Sequence, residues 1–167
     1  ISFFAYIFGS ILAGKLNLIN VIIAMLVSLI SVNFIYSYNS YTDWKIDKIN
    51  KPNRAIPKGL ITPKSAFNFS KILGVSSVIY PFFITKSLSS LFLFLMLPIL
   101  GILYSYERIR LKKYFFFAVL TTSLIHIIPI ILGYTLNTSS NLQYPFFIAL
   151  FLFCMSVIPL KDIEDVK

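Results

Sequence analysis

Asn39, Asp43 and Asp47 recur every four residues at the end of a long apolar run, and seven basic residues follow between Lys45 and Lys71. Carboxylates hold hard metal ions, and Lys and Arg hold phosphate oxygens. On a helix, residues four apart are displaced by about 40° around the axis, so all three share a broad face. Two carboxylates and an amide oxygen suit Mg²⁺, which takes one or two carboxylates and completes its shell with water and substrate phosphate. Unpaired carboxylates beside a membrane are costly, and a bound cation removes that cost. The competing reading is a solvated helix end whose acids pair with Lys45, Lys48 and Lys51. The residues beyond Asp47 sharpen the choice. Asn50, Lys51, Pro52, Asn53, Arg54, Pro57, Lys58 and Gly59 make a turn-rich cationic loop. Prolines stiffen it, and Gly59 permits a positive φ or a close approach. Arg54 is placed to grip diphosphate oxygens in a fork, while most of the lysines read as anchors on anionic lipid.

The elements that position these residues follow from composition. The 167-residue chain is 57% hydrophobic and 13% charged, more apolar surface than a soluble domain of this size can hide. The single cysteine, Cys154, excludes a disulfide framework. Residues 1–13 read as the tail of a spanning helix in a chain cut from a longer protein at both ends. Five further apolar runs cover 19–38, 67–85, 87–104, 114–136 and 144–160. Each approaches the ~20 residues that cross a ~30 Å hydrocarbon layer as a helix. None alternates as a barrel strand does. Pro81, Pro98, Pro129, Pro145 and Pro159 predict kinks rather than breaks. The expected fold is all-α: a polytopic transmembrane bundle of about six helices, forming one incomplete domain over residues 1–167.

Charge follows this topology. If every run spans, segments 39–66, 105–113 and 160–167 emerge on one side. Counted with Lys71, that side carries 13 of the 15 Lys and Arg residues and all six acids. The positive-inside rule makes it cytoplasmic. No nucleic-acid partner is expected.

The stretch NSYTDWKIDKINKPNRAIPKGLI resembles the first signature of the UbiA-type intramembrane prenyltransferases, NDxxDxxxDxxNxPxRPxPxG. Asn39, Asp43, Asp47, Asn50, Pro52, Arg54, Pro57 and Gly59 match it. Ser40 stands where Asp is commonest, and Ala55 where proline is usual. The terminal KDIEDVK resembles the start of the second signature, KDxxDxxGDxxxG, with Asp165 as its first carboxylate and Asp162 one turn earlier. The resemblance also implies a tyrosine and a basic residue about four positions on, near the diphosphate, in YSYERIRLKKY. Tyr104 with Arg108 and Tyr106 with Arg110 both fit, as does an aromatic belt with positive-inside charges.

That resemblance implies Mg²⁺-dependent transfer of an isoprenyl chain from a prenyl diphosphate to a lipophilic acceptor, with release of diphosphate. Asp43, Asp47 and Asp165 are the implied metal ligands, with Asn39 and Asp162 in support. Arg54 and Lys51 would bind the diphosphate. DKINKPNR and KDIED are similar to geranylgeranylglyceryl-phosphate geranylgeranyltransferases, and also to quinone-pathway members of the superfamily. A membrane ion or solute transporter and a non-catalytic prenyl-lipid binder are the alternatives. His126, the only histidine, is expected toward the far side from the acids, in a structural bond between helices. Trp44 reads as an interfacial anchor, and Asn33, Asn68 and Ser70 as polar contacts between helices.

Overall fold

A computed structural model describes residues 2–14, 17–137 and 143–164, with side chains for 4–14, 17–137 and 143–158. Six α-helices follow in order: α1 Ser2–Leu12, α2 Leu18–Asn50, α3 Pro63–Ile84, α4 Leu88–Ser105, α5 Phe115–Asn137 and α6 Tyr144–Glu164. A 3-10 turn, Leu111–Lys113, joins α4 to α5. The described residues contain no strand, so the all-α expectation holds. Helices α2 to α5 are each long and apolar enough to cross a membrane.

Local sequence sets the boundaries. Asn17 caps α2 by accepting hydrogen bonds from the Ile19 and Asn20 amides. The helix then runs 33 residues, about 50 Å at 1.5 Å per residue. It therefore continues well beyond the apolar run at 19–38 and carries the acidic row on a rigid helical shaft. It ends at Asn50, two residues before Pro52; the residue preceding a proline is pushed out of the helical region. Helix α3 starts at Pro63, earlier than the apolar run at 67. Thr62 caps it through the Ser65 amide, and proline suits the first turn, where an amide proton would go unpaired. The helices remain continuous through the buried Pro81, Pro98 and Pro129.

Helix α2 is central, packing on α1, α3, α4 and α5, while α5 also holds α1 and α6. Tyr6, Val27, Phe94, Leu97, Ile128 and Leu132 form the core where α1, α2, α4 and α5 meet. Helices α1 and α5 cross at Gly9 and Gly133. A Cβ on Gly9 would meet the Ile130 carbonyl, and one on Gly133 the Tyr6 carbonyl. Small residues allow this close approach, which packing between membrane helices requires. Asn137 fastens the crossing, donating to Ser10 Oγ (3.0 Å) and to the Gly133 carbonyl (2.9 Å).

Asn20 adds a second polar link between helices by donating to the Leu136 carbonyl, and Ser90 of α4 pairs with Thr135 of α5. Asn33 and Ser70, expected in that role, instead bond carbonyls of their own helices. Asn68 is exposed. Asn33 and Ser70 bond locally because the carbonyl one turn back is always within reach. Helix α3 turns Phe69, Ile72, Val75, Ile79 and Phe83 outward, as a lipid-facing helix does.

Candidate active site at the end of helix α2

The i, i+4 row on α2 drifts around the axis, and this drift divides its partners. Asn39 and Asp43 face the connection between α4 and α5. Asp47, a turn further on, faces the loop that follows its own helix.

Asp47 is buried, at 6% exposure. Its Oδ2 accepts a hydrogen bond from Arg54 Nη1 at 2.7 Å. The loop that brings Arg54 back is a series of tight turns. The Arg54 amide donates to the Lys51 carbonyl and the Lys58 amide to the Arg54 carbonyl. Gly59 ends the series at φ +78, the left-handed conformation glycine adopts without a Cβ penalty. Space around Gly59 is open, so the turn, not a close approach, requires it.

Asp43 receives two cations from the far side of the cleft. Arg110 Nη2 donates to Oδ1 at 3.0 Å, and Lys112 Nζ to Oδ2 at 2.6 Å. Lys112 also donates to Asn39 Oδ1 at 2.7 Å, and that oxygen accepts from Ser105 Oγ at 3.1 Å. The ammonium lies 5.8 Å from the Tyr104 ring centroid, within cation–π range. Burial pushes the Lys112 ammonium below the usual lysine range, and the bond and charge of Asp43 oppose that shift.

The geometry comes from an unusual backbone. Arg110 sits at φ +43, the one non-glycine residue with positive φ among those described. Its amide donates to the Tyr106 carbonyl at 2.7 Å, closing the turn that leads into the 3-10 segment. An arginine held there is strained, and such strain concentrates at functional sites. The turn presents Arg110 and Lys112 to the same carboxylate.

The two tyrosine–basic pairs are recombined. Tyr104 from one and Arg110 from the other join the cluster. Tyr106 turns away into a groove with Phe34, Tyr38 and Lys71. Arg108 is exposed on a cavity wall beside Arg110. Lys51 caps the end of α2 and is exposed. Asp162 falls in the last turns of α6, but its side chain, like all of Asp165, lies outside the described residues. Lys112 and Ser105 are cluster members that sequence reading missed. No local pattern marks them: Lys112 is one of several basic residues in its segment, and Ser105 is a small residue at the end of α4. Trp44 carries the Lys48 ammonium 4.8 Å from its ring centroid, on the outer side of the shaft.

Three cavities surround the row. A polar one of about 530 Å³ is walled by Asp43, Asp47, Arg108, Arg110, Lys112 and Lys113. A larger one of about 670 Å³ lies beside Asp47 and Arg54 and is lined by Ser40, Ile56, Pro57, Ala66 and Phe69. The third, about 260 Å³, contains Asn39, Tyr104 and His126. His126, midway along α5, thus lines one cavity with Asn39. Its ring bonds the Thr122 carbonyl of its own helix, not another helix.

Residues 2–167 match the UbiA prenyltransferase family. A digeranylgeranylglyceryl phosphate synthase from Methanosphaera stadtmanae is 34% identical over 123 residues, which is 74% of this chain and 43% of that protein. The chain therefore spans less than half the length of the curated relative it matches. No solved structure matches it. The family match covers nearly the whole chain, and four helices are long and apolar enough to cross a membrane. This chain is an integral membrane protein that belongs to the UbiA prenyltransferase family.

Proposed function

We propose that the protein transfers an isoprenyl chain from a prenyl diphosphate to a lipophilic acceptor at the cluster around Asp43 and Asp47, on the cytoplasmic face. One observation carries this reading. Two carboxylates on one helix meet three cations, Arg54, Arg110 and Lys112, drawn from two separate loops at 2.7, 3.0 and 2.6 Å. A lipid anchor needs no such convergence. A diphosphate with a divalent ion needs both signs of charge in one place.

The donor set fits Mg²⁺. Asn39, Asp43 and Asp47 offer hard oxygens. Among the described residues no three acidic, histidine or cysteine side chains converge. Mg²⁺ completes its shell with water and substrate phosphate. Bound there, Mg²⁺ would neutralise diphosphate charge as the allylic C–O bond breaks. Asp162 and Asp165 complete the proposed ligand set.

The chain's own groups do the rest. Arg54, Arg110 and Lys112 each pair with one of the two carboxylates. The same three cations would bind phosphate oxygens when substrate is held there, so positive charge would already stand where negative charge develops. The largely apolar cavity beside Ile56, Pro57 and Phe69 offers room for an isoprenyl tail, which would itself displace water that quenches the allylic cation. The relative's name supports geranylgeranylglyceryl phosphate as the acceptor, and geranylgeranyl diphosphate as the donor. A glycerol hydroxyl would then become an ether.

The test uses the full-length protein in lipid. Geranylgeranyl diphosphate and geranylgeranylglyceryl phosphate should yield diphosphate and ether product only with Mg²⁺, and chelation should abolish both. Near wild-type transfer by Asp43→Ala or Asp47→Ala would refute the site. Ion flux without diphosphate release would favour a transporter, and turnover of an aromatic acceptor alone would reassign the acceptor.

A further inference from the structure

His126 is the one histidine of the chain, and the chemistry above does not use it. Its Nδ1 lies 2.7 Å from the Thr122 carbonyl oxygen, one turn back on α5. A carbonyl only accepts, so Nδ1 carries the proton. In the neutral ring, Nε2 then holds the lone pair. The bond does not join helices, so it serves orientation of the ring better than cohesion of the bundle. The partly buried ring forms part of the wall of the 260 Å³ cavity. Val32, Ile35 and Ile125 make that cavity largely apolar, and Asn39 and Tyr104 belong to its lining. Asn39 is held by Lys112, which also holds Asp43. One small chamber therefore links an imidazole of fixed tautomer to the charged cluster.

We propose that this chamber seats the nucleophilic hydroxyl of the acceptor and that His126 Nε2 takes its proton. The inference rests on prenyl transfer to a hydroxyl acceptor. The acceptor oxygen forms a bond to the allylic carbon as the bond from that carbon to the diphosphate oxygen breaks. That electron pair leaves with the diphosphate. The hydroxyl proton passes to Nε2, and its bonding pair stays on the new ether oxygen. The imidazolium keeps its Nδ1–H bond to the Thr122 carbonyl, which stabilises it, and loses the extra proton to solvent when products leave. The hydroxyl must shed its proton as the ether forms, and the imidazole is the uncharged base that lines this largely apolar cavity.

The experiment compares full-length wild type, His126→Gln and His126→Ala in lipid, using a geranylgeranyl thiodiphosphate to measure donor binding and geranylgeranylglyceryl phosphate as acceptor. Gln places an acceptor oxygen near the Nε2 position but is not basic. His126→Gln should keep thiodiphosphate affinity and acceptor KM within about threefold while kcat falls ~10²–10⁴-fold. Added imidazole should restore His126→Ala at least about tenfold by supplying the missing base. Wild-type turnover by His126→Gln overturns the proposal. So does parallel loss of donor affinity and turnover in both variants, which would mark a structural role. If the wild-type protein itself transfers nothing to the hydroxyl acceptor, the functional reading fails and takes this inference with it.

Discussion

Lys112 Nζ lies 2.6 Å from Asp43 Oδ2 and 2.7 Å from Asn39 Oδ1, so one ammonium joins two turns of α2 to the α4–α5 connection. With a side-chain exposure of 13%, it is the most enclosed cation of the three ion pairs. Lys112→Met should lower kcat/KM for the prenyl diphosphate by roughly 10²-fold, through loss of a charge preorganised at the leaving group. Lys112→Arg should recover little of it. A planar fork cannot replace a compact ammonium shared between an amide and a carboxylate. Steady-state kinetics with varied prenyl diphosphate would show this, and full rescue by arginine would argue for simple charge.

Arg110 and its backbone make separable contributions. Its positive φ costs about 1–3 kcal/mol in a non-glycine residue, while its guanidinium bonds Asp43. Arg110→Gly should therefore leave the thermal midpoint near or above wild type and still cut turnover by about tenfold or more. Arg110→Val should lose both, since a β-branched residue resists that conformation. Thermal unfolding in detergent, paired with turnover, distinguishes the two effects.

Arg54→Lys keeps charge beside the buried Asp47 but not the guanidinium plane that reaches it at 2.7 Å. The expected result is a rise of about tenfold in KM for the prenyl diphosphate, with a smaller change in kcat. Asp47→Asn should be the more severe change, near 10²-fold or worse in kcat, because it removes a carboxylate from the proposed metal-ligand set. Equal mild effects from both would indicate that the pair is only structural.

Gly133→Ala tests the α1–α5 crossing, where the added methyl would meet the Tyr6 carbonyl. Overpacking of this kind costs about 1–3 kcal/mol, so the thermal midpoint should fall. Asp43 and Lys112 belong to other elements, so turnover per folded molecule should change little. Loss of turnover without loss of stability would show that the crossing is coupled to the site.

Much of this arrangement is local and therefore legible in the chain. Apolar runs of spanning length mark the helices because lipid leaves backbone amides no partner outside a helix. The four-residue spacing of Asn39, Asp43 and Asp47 sets them on one face because α-helical geometry does so wherever the helix stands. Arg54 lies seven residues from Asp47, and prolines with Gly59 turn the chain back, so that pair is also written nearby. Other parts were not legible. The end of the apolar run did not show that α2 continues as a helix to Asn50, since a polar helical extension is stabilised by what packs on it. Nor did spacing choose between Arg108 and Arg110, or single out Lys112.

The sequence by itself determined the helices, the acidic row and its first cation, because each depends on contacts within a few turns. Tertiary structure decided which distant residues complete the site. Arg110 and Lys112 stand 67 and 69 residues from Asp43, and Asn39 and His126 share a chamber across two helices. Those meetings depend on how closely helices cross and how one strained turn points its side chains. That is settled by packing over the whole bundle, which no local pattern encodes.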